Sequence, residues 1–448
     1  MDPLEELNSF LRFPSISTQP EHATDLVSCA EWLGEKLSSI GLSASVHPTP
    51  GSPVVIAATP RDPSKRTVLI YGHYDVQPPE PLAGWTTPPF EPRVEAGRLY
   101  ARGAADNKGQ ILAHILGVAE TLREKGSLPV NLIFLIEGEE EIGSPHLADF
   151  LLDHREELAC DLVAISDTAM GPGNTPAFTY ALRGIAAMEV IVRGPARDLH
   201  SGLFGGAVAN PATVVARLLA SLHDDEGRVR IPGFYDAVRP LESWEREAAA
   251  DLEKAAGGDA AIKELAGVTE LFGEKGFTTL ERIGARPTAE VNGIGGGYQG
   301  AGTKTVLPKE AFAKLTFRLV ADQDPAVILA AAEEYLRSQT PPSVLLEVIT
   351  GHSGAAYQSD PNSPDGLAAR KALREAFGTE PLLLRDGGSI PIVATLKEIL
   401  GVDSYLLGLA NPDSQIHSPD ENMLIENFLG GIRMNRILLE ELARDIGG

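Results

Sequence analysis

The chain of 448 residues is poor in cysteine and in positive charge. Its two cysteines, Cys29 and Cys160, are too few for a disulfide framework, which favours a reducing compartment such as the cytoplasm. The 38 Lys and Arg residues are outnumbered by 62 Asp and Glu residues, and the formal net charge is −24. Because nucleic acids and anionic membrane surfaces attract basic proteins, the composition argues against both as partners.

Long apolar runs are also missing. No apolar stretch approaches the roughly 18 residues that a membrane span requires. The first ten residues, MDPLEELNSF, lack the basic and apolar regions of a secretory signal, so we expect a cytoplasmic protein. A hydrophobic content of 43% and a charged content of 22% are ordinary for a globular protein, and the length predicts two domains.

Helices and strands alternate in the first part of the chain and again towards its end. Apolar residues recur at helical spacing in residues 26–40 and 106–125, whereas short apolar runs at 67–71, 130–136 and 161–166 predict strands. Strands that alternate with helices of this length pair in parallel. We therefore predict an α/β fold with a mixed, mostly parallel sheet flanked by helices.

The middle of the chain has a different pattern. Residues 311–319 (AFAKLTFRL) alternate strictly between apolar and polar, which predicts a sheet with one buried and one open face. A strand at 187–193, a helix at 325–337 and a strand at 345–350 accompany it. We predict that residues 184–350 form a smaller α/β sandwich, inserted into a discontinuous domain of residues 1–183 and 351–448.

Four carboxylates follow the predicted strand at 130–136: Glu137, Glu139, Glu140 and Glu141. Adjacent acids repel each other, and each raises the pKa of its neighbours unless cations offset the charge. A solvated acidic loop accounts for such a run taken alone. A metal site that also needs a catalytic carboxylate is the alternative, because open α/β sheets bind ligands at the carboxyl ends of their strands.

Further histidines and acids stand where predicted strands end or helices begin: His73, Asp75, Asp106, Asp167 and His417. Each has a plainer interpretation alone, such as a packed histidine, a helix cap or a surface turn. Imidazole and carboxylate ligands without cysteine suit Zn²⁺, Mn²⁺ or Co²⁺ in a hydrolytic site. Two metal ions need a bridging carboxylate and terminal ligands on each side, and this set supplies both.

Six motifs in order carry a family resemblance: GHYDVQP, RGAADNKG, EGEEEIGS, SDT, DLHSG and a late IHS. Together they resemble the dinuclear zinc metallopeptidases, which include carnosinase-type dipeptidases, aminoacylases, glutamate carboxypeptidases and succinyl-diaminopimelate desuccinylase. The resemblance covers nearly the whole chain. The segments LRGIAAMEV, KTVLP, TFRLV and RDGGSIP are most similar to the dipeptidase branch.

This resemblance implies a role for each candidate ligand. His73 and Asp167 would hold one divalent ion, Glu141 and His417 the other, and Asp106 would bridge the two. Zinc is the first expectation for both ions in each subunit, with manganese or cobalt as alternatives. The implied reaction is hydrolysis of dipeptides by a water molecule that the two ions activate.

The resemblance implies that other residues near the ligands would transfer the proton of the attacking water and orient a ligand. Glu140 would be the general base that takes a proton from the attacking water and delivers it to the leaving amine. Asp75 would orient the His73 imidazole. The family also implies a cis peptide bond between Asp106 and Asn107. Glu137 and Glu139 remain as strand-end and loop charges.

The resemblance assigns substrate contacts as well. The inserted domain would serve as a lid and dimerisation domain, and His200 would reach the partner's active site in a homodimer to polarise the scissile carbonyl. Arg318 would bind a substrate carboxylate, helped by the glycine loop at Gly388 and Ser389, and Asn292 would contact the substrate. A turn-capping histidine and a solvated sheet-face arginine are the plainer interpretations.

Two other functions stay open. An N-acyl-amino-acid deacylase or a carboxypeptidase would use the same machinery and differ in how it treats the substrate's amino-terminal side. A catalytically silent metal-binding or scaffold protein would usually have lost its base or a ligand. Because Glu140 and the complete ligand set are present, the sequence favours an enzyme.

Overall fold

The computed structural model describes residues 2–387 and 390–444. Their chain forms two compact units. The second unit comprises Ala181–Gln358 and Arg385–Pro391, and the first comprises the other described residues. The predicted inserted domain, residues 184–350, overlaps the second unit, which also takes in the short segment at 385–391.

Helices and strands are numbered here along the chain. The helices of the described residues are α1 (Pro3–Leu11), α2 (Ala23–Ser39), α3 (Lys108–Lys125), α4 (Leu147–Asp153), α5 (Ser201–Phe204), α6 (Pro211–Ala220), α7 (Ser243–Ala255), α8 (Gly258–Ala266), α9 (Thr279–Ala285), α10 (Pro325–Gln339), α11 (Pro364–Phe377), α12 (Pro391–Leu400) and α13 (Ile425–Leu442). The strands are β1 (Ser43–His47), β2 (Val54–Ala58), β3 (Thr67–His73), β4 (Arg93–Glu95), β5 (Arg98–Tyr100), β6 (Asn131–Glu137), β7 (Leu162–Ile165), β8 (Ala177–Leu182), β9 (Gly184–Arg193), β10 (Leu199–His200), β11 (Thr288–Gly296), β12 (Val306–Leu307), β13 (Glu310–Leu319), β14 (Leu345–Gly354), β15 (Tyr357–Gln358), β16 (Leu382–Asp386), β17 (Ser404–Gly408) and β18 (Asn422–Leu424).

The first unit is built on one mixed sheet with the order β1-β2-β6-β3-β7-β17-β8. Its central strands β6, β3, β7 and β17 run parallel, whereas β2 and β8 pair with this block in the antiparallel sense. Every residue of β3 and β6 is buried, as expected for parallel strands covered on both faces. The predicted mixed, mostly parallel α/β sheet is confirmed.

The register of this sheet brings three strand ends to one edge. His73 pairs with Glu137 of β6, and Tyr71 pairs with Ile165 of β7, two residues before Asp167. The parallel direction therefore carries the residues after β3, β6 and β7 to the same carboxyl edge. This edge is where the sequence predicted the candidate ligands.

Helix α3 begins close behind this edge because Gly72 has no side chain. A Cβ atom on Gly72 would lie 2.8 Å from the Ile111 Cδ1 atom and 2.9 Å from the Asn107 Oδ1 atom. The helix begins at Lys108 rather than at the predicted residue 106, because Asp106 and Asn107 belong to the preceding loop. It ends as predicted at Gly126, which has a left-handed φ of 74°.

The second unit contains an antiparallel sheet with the order β11-β13-β9-β14. Helices α6 and α10 pack against one face of it, where Leu315 and Phe317 are buried, whereas Lys314 is exposed on the other face. The alternation predicted for residues 311–319 is thus confirmed, and the separate smaller α/β layer is present. Strand β14 ends at Gly354, later than the predicted residue 350.

No helix within residues 2–387 and 390–444 combines the length and the apolar character needed to cross a bilayer.

Candidate metal centre

Two histidines approach the carboxylate of Asp106 from opposite sides. The His73 Nε2 atom lies 3.1 Å from Asp106 Oδ1 and 3.7 Å from Asp167 Oδ1. The His417 Nε2 atom lies 3.0 Å from Asp106 Oδ2 and 3.2 Å from Glu141 Oε2. Within each trio, the potential ligand atoms lie within 4.8 Å of one another. The structure therefore brings the five predicted ligands together in two groups that share Asp106.

The chemistry of these groups fits divalent cations. Each trio offers one imidazole and two carboxylates, which are ligands that zinc, manganese and cobalt accept. The Oε1 atom of Glu141 is buried and has no hydrogen-bond partner among the residues that the structure describes. A buried carboxylate oxygen without a donor is destabilising, and a cation beside it removes that cost.

Asn107 fixes the loop that presents Asp106. Its Nδ2 atom donates to the Ser166 carbonyl at 2.6 Å and to Asp167 Oδ1 at 2.7 Å, beside the end of β7. Its Oδ1 atom accepts the backbone N–H of His73 at 3.4 Å. The peptide bond between Asp106 and Asn107 is cis, as the family resemblance implied. One amide side chain thus joins the Asp106 loop to the ends of two strands.

Asp75 contacts more of the site than the sequence indicated. Its Oδ1 atom lies 3.2 Å from His73 Nδ1, the contact predicted to orient that imidazole. Its two carboxylate oxygens also accept the backbone N–H groups of Glu140 at 3.2 Å and Glu141 at 3.1 Å. Because Asp75 is fully buried, these bonds hold both the imidazole and the acidic loop after β6.

The Glu140 carboxylate is left free beside the two trios. Glu140 belongs to a short 3₁₀ turn, Glu140–Ile142, and its carboxylate makes no hydrogen bond or ion pair with any described residue. Burial raises the pKa of Glu140 well above its ordinary value, and Asp167, Asp106 and Glu141 add to that effect against the opposing charge of His73. A raised pKa makes this carboxylate a better proton acceptor than an ordinary glutamate.

The two imidazoles and Asp106 stabilise each other's charged forms. Burial lowers the pKa of His73, but hydrogen bonds to Asp106 and Asp167 outweigh it and raise the pKa well above the ordinary value. Hydrogen bonds to Asp106 and Glu141 raise the pKa of His417 to about 10. Burial opposes ionisation of Asp106, yet the contacts with His417 and His73 lower its pKa. The site therefore favours positive charge around an ionised Asp106.

Glu137 and Glu139 differ from their prediction as strand-end and loop charges, because both are buried. Glu137 accepts hydrogen bonds from Tyr71 at 2.7 Å and Ser144 at 2.8 Å, and burial raises its pKa to about 7. Glu139 accepts the backbone N–H of Ser52 at 3.1 Å and lies 2.8 Å from His146. These acids anchor the loop that carries Glu140 and Glu141.

Two contacts of the site were missed by the sequence interpretation. Gln77 donates to Glu141 Oε2 at 2.9 Å and to the Glu141 carbonyl at 3.2 Å. Glu421 accepts the backbone N–H of Asp106 at 3.0 Å. Gln77 could have been found from its place in GHYDVQP. Nothing in the run of acids around Asp420 distinguishes Glu421, whose burial depends on contacts with a distant part of the chain.

The predicted substrate residues of the second unit have varied surroundings. His200 is exposed, and its Nδ1 atom accepts the Gly202 N–H at 3.0 Å, which is the plainer capping contact. Asn292 is exposed at a β-bulge of β11. Gly388 and Ser389 lie outside the described residues.

Arg318 lies half-buried on the open face of β13 and has no hydrogen bond or ion pair within the described ranges. With Arg183 it lines a cavity of about 290 Å³ in the second unit. Burial, helped by the nearby charge of Arg318, lowers the pKa of Arg183 to about 10. Arg282 and Arg286 line the same cavity, and Arg286 pairs with Glu274 at 2.7 Å. Arg183 and Arg318, by contrast, have no carboxylate at ion-pair distance among the described residues.

Comparison with known proteins identifies relatives along most of the chain. The model of peptidase family M20/M25/M40 matches residues 69–441. The Cys-Gly metallodipeptidase DUG1 of Candida albicans is 33% identical over 456 residues, which cover 96% of this chain and 92% of that protein. The human Beta-Ala-His dipeptidase is 33% identical over 428 residues, which cover 92% of this chain and 82% of that protein.

A solved structure is also similar. The M20 family metallo-carboxypeptidase Sso-CP2 from Sulfolobus solfataricus superposes with a TM-score of 0.82 at 33% identity, covering 99% of this chain and 100% of that chain. The family resemblance drawn from the six motifs is thus confirmed. The chain belongs to peptidase family M20/M25/M40, in the dipeptidase branch of its metallopeptidases, and is a peptide-bond hydrolase.

Proposed function

We propose that this enzyme is a dipeptidase that cleaves dipeptides with a free amino terminus and a free carboxylate. The observation that carries the proposal is the Asp106 carboxylate shared by two histidine-containing trios, with the free Glu140 carboxylate beside them. The similarity to the Cys-Gly and Beta-Ala-His dipeptidases supports the choice of substrate class.

In this proposal, His73 and Asp167 would hold one divalent ion, Glu141 and His417 would hold the other, and Asp106 would serve both sites. Zinc is the first expectation, and manganese or cobalt are the alternatives. When bound, such ions polarise a carbonyl oxygen and lower the pKa of water.

The chain's own residues then move the proton. Glu140 accepts a proton from the attacking water and delivers it to the nitrogen of the leaving amine. Its raised pKa suits both steps, because the carboxyl group must hold the proton before releasing it. Asp75 keeps Glu140 in place through the backbone N–H of that residue.

The first prediction concerns this proton transfer. Glu140→Gln keeps the size of the side chain but cannot accept the proton, so we expect kcat to fall by about 10²–10⁴-fold. Metal content, measured by elemental analysis, stays at the wild-type level because Glu140 is not a proposed ligand. Asp149→Asn, an exposed change on α4, is the matched control and leaves both quantities unchanged. Wild-type turnover in Glu140→Gln contradicts the assignment of the base.

Recognition of the substrate carboxylate is assigned to Arg318, with Gly388, Ser389 and Asn292 as further contacts. Arg318 is supported by its lack of an ion-pair partner among the described residues, since a half-buried guanidinium favours a bidentate carboxylate. This part of the proposal applies equally to a carboxypeptidase, and Sso-CP2 is a relative with that name.

The second prediction separates the dipeptidase from its alternatives by the amino terminus of the substrate. We expect the enzyme to release the carboxyl-terminal amino acid faster from a free dipeptide, such as Cys-Gly or β-Ala-His, than from its N-acetylated form. Chromatography of the released amino acid measures both rates. A strong preference for the acetylated form identifies a deacylase or a carboxypeptidase and overturns the dipeptidase assignment.

A homodimer is part of the same proposal, with His200 acting in the active site of the partner subunit as a donor to the scissile carbonyl oxygen. Its exposure supports this role, because a side chain that serves another subunit must be accessible from outside its own. Cytoplasmic residence also belongs to the proposal and is supported by the free thiols of Cys29 and Cys160.

The third prediction tests action across subunits. His200→Ala and Glu140→Gln each have little activity alone, but a mixed dimer pairs an intact Glu140 in one subunit with an intact His200 in its partner. After subunits are exchanged at equal concentrations, random pairing restores about one quarter of wild-type activity. Activity that stays at the sum of the separate variants shows that His200 acts within its own chain or not at all.

A further inference from the structure

Glu421 is a fully buried carboxylate in contact with the loop that carries Asp106. Its Oε1 atom accepts the backbone N–H groups of Ala105 at 2.9 Å and Asp106 at 3.0 Å. Its Oε2 atom accepts the N–H of Gly103 at 3.0 Å and the Arg102 Nη1 atom at 2.7 Å. Four of the five residues from 102 to 106 therefore donate a hydrogen bond to this one carboxylate.

The backbone of Glu421 extends the same contact. Its carbonyl oxygen accepts the N–H of Ala101 at 3.1 Å. The backbone and the side chain of Glu421 therefore both bind the segment of residues 101–106. Arg102 is 1% exposed and also donates to the Pro78 carbonyl at 3.2 Å. Hydrogen bonds to an ionised carboxylate are roughly twice as strong as neutral ones, and each buried N–H left without an acceptor is destabilising.

Glu421 also follows His417 in a tightly constrained segment. Gln415, His417 and Asp420 all have left-handed φ values, between 55° and 61°. Residues other than glycine rarely adopt this backbone conformation, and surrounding contacts usually maintain it where they do. Asp420 provides one such contact by accepting the Thr86 N–H at 2.9 Å and its hydroxyl at 2.7 Å.

The position of Asp106 relative to His417 therefore depends on a contact between two distant segments. We propose that Glu421 is a positioning residue of the metal centre, whose carboxylate sets the 102–106 loop so that Asp106 faces His73 and His417 at once. The Glu421 carboxylate makes no hydrogen bond or ion pair with the candidate ligand atoms of either trio; its partners are Arg102 and the backbone of the loop. The inference rests on the proposed function only for the role of Asp106 as the shared ligand.

An ordinary structural ion pair with Arg102 would have a different consequence. It would contribute to the stability of the fold but leave the affinity for metal unchanged. A positioning role lowers that affinity, because Asp106 contributes to both trios and a small displacement of its oxygens weakens both. Contacts of this indirect kind typically change metal affinity by about 10–100-fold.

The fourth prediction uses Glu421→Gln, which removes the charge and places an amide N–H₂ against backbone N–H donors. We expect divalent-ion binding, measured by competition with a chromophoric chelator, to weaken by about 10–100-fold. The absorption spectrum of the cobalt-loaded variant shifts, because the geometry around Asp106 changes. Glu421→Asp retains the charge but shortens the side chain, so we expect it to recover part of the metal affinity. If Glu421→Gln does not fold, the metal affinity of Glu421→Asp tests the positioning role instead.

Asp413→Asn is the matched control. Asp413 binds Arg98 of β5 through two bonds, at 3.0 Å and 2.9 Å, and so joins neighbouring parts of the same two segments without touching Asp106. We expect this exposed pair to leave metal affinity unchanged. Wild-type affinity in Glu421→Gln and Glu421→Asp, together with a lower melting temperature, reduces Glu421 to a structural role and overturns the inference. If the unaltered enzyme binds no divalent ion, the proposed function fails with it, and the two failures are thereby distinguished.

Discussion

The carboxylate of Asp106 is the contact on which the rest of the site depends. Its two oxygens face imidazoles that come from positions 33 residues before it and 311 residues after it. Only a folded sheet with its loops in place can bring such distant groups within 3.1 Å. The acids around them, Asp167, Glu140 and Glu141, repel one another, and this crowding is tolerable where cations share the site. The crowding of acids in the structure and the proposed hydrolytic chemistry thus both call for cations at this site.

The candidate ligands His73, Glu141 and Asp167 were predictable because they lie at or just after the ends of regular strands. Parallel strands deliver their carboxyl ends to one edge, so the residues after β3, β6 and β7 were expected to meet, and the motif order indicated which chemistry they serve. The alternation in β13 likewise identified its buried face before the structure did. Periodicity is a local property of the chain, which is why the sequence reports it well.

Contacts between loops were not predictable in the same way. The burial of Glu137 and Glu139, the second task of Asp75 and the position of Glu421 all depend on segments far apart in the chain. Their side chains look like ordinary solvated acids in the sequence, because hydrogen-bond partners such as Tyr71 or Ala105 are defined only by the tertiary fold. The start of α3 was misplaced for a related reason, since Asp106 and Asn107 are used by the loop rather than by the helix.

The central claim is that two metal ions share Asp106, and anomalous X-ray diffraction from crystals grown with zinc tests it most directly. The account predicts two peaks about 3.5–4 Å apart, one beside His73 and Asp167 and the other beside Glu141 and His417, with one oxygen of Asp106 bound to each. A single peak, or two peaks of which only one contacts Asp106, would contradict it.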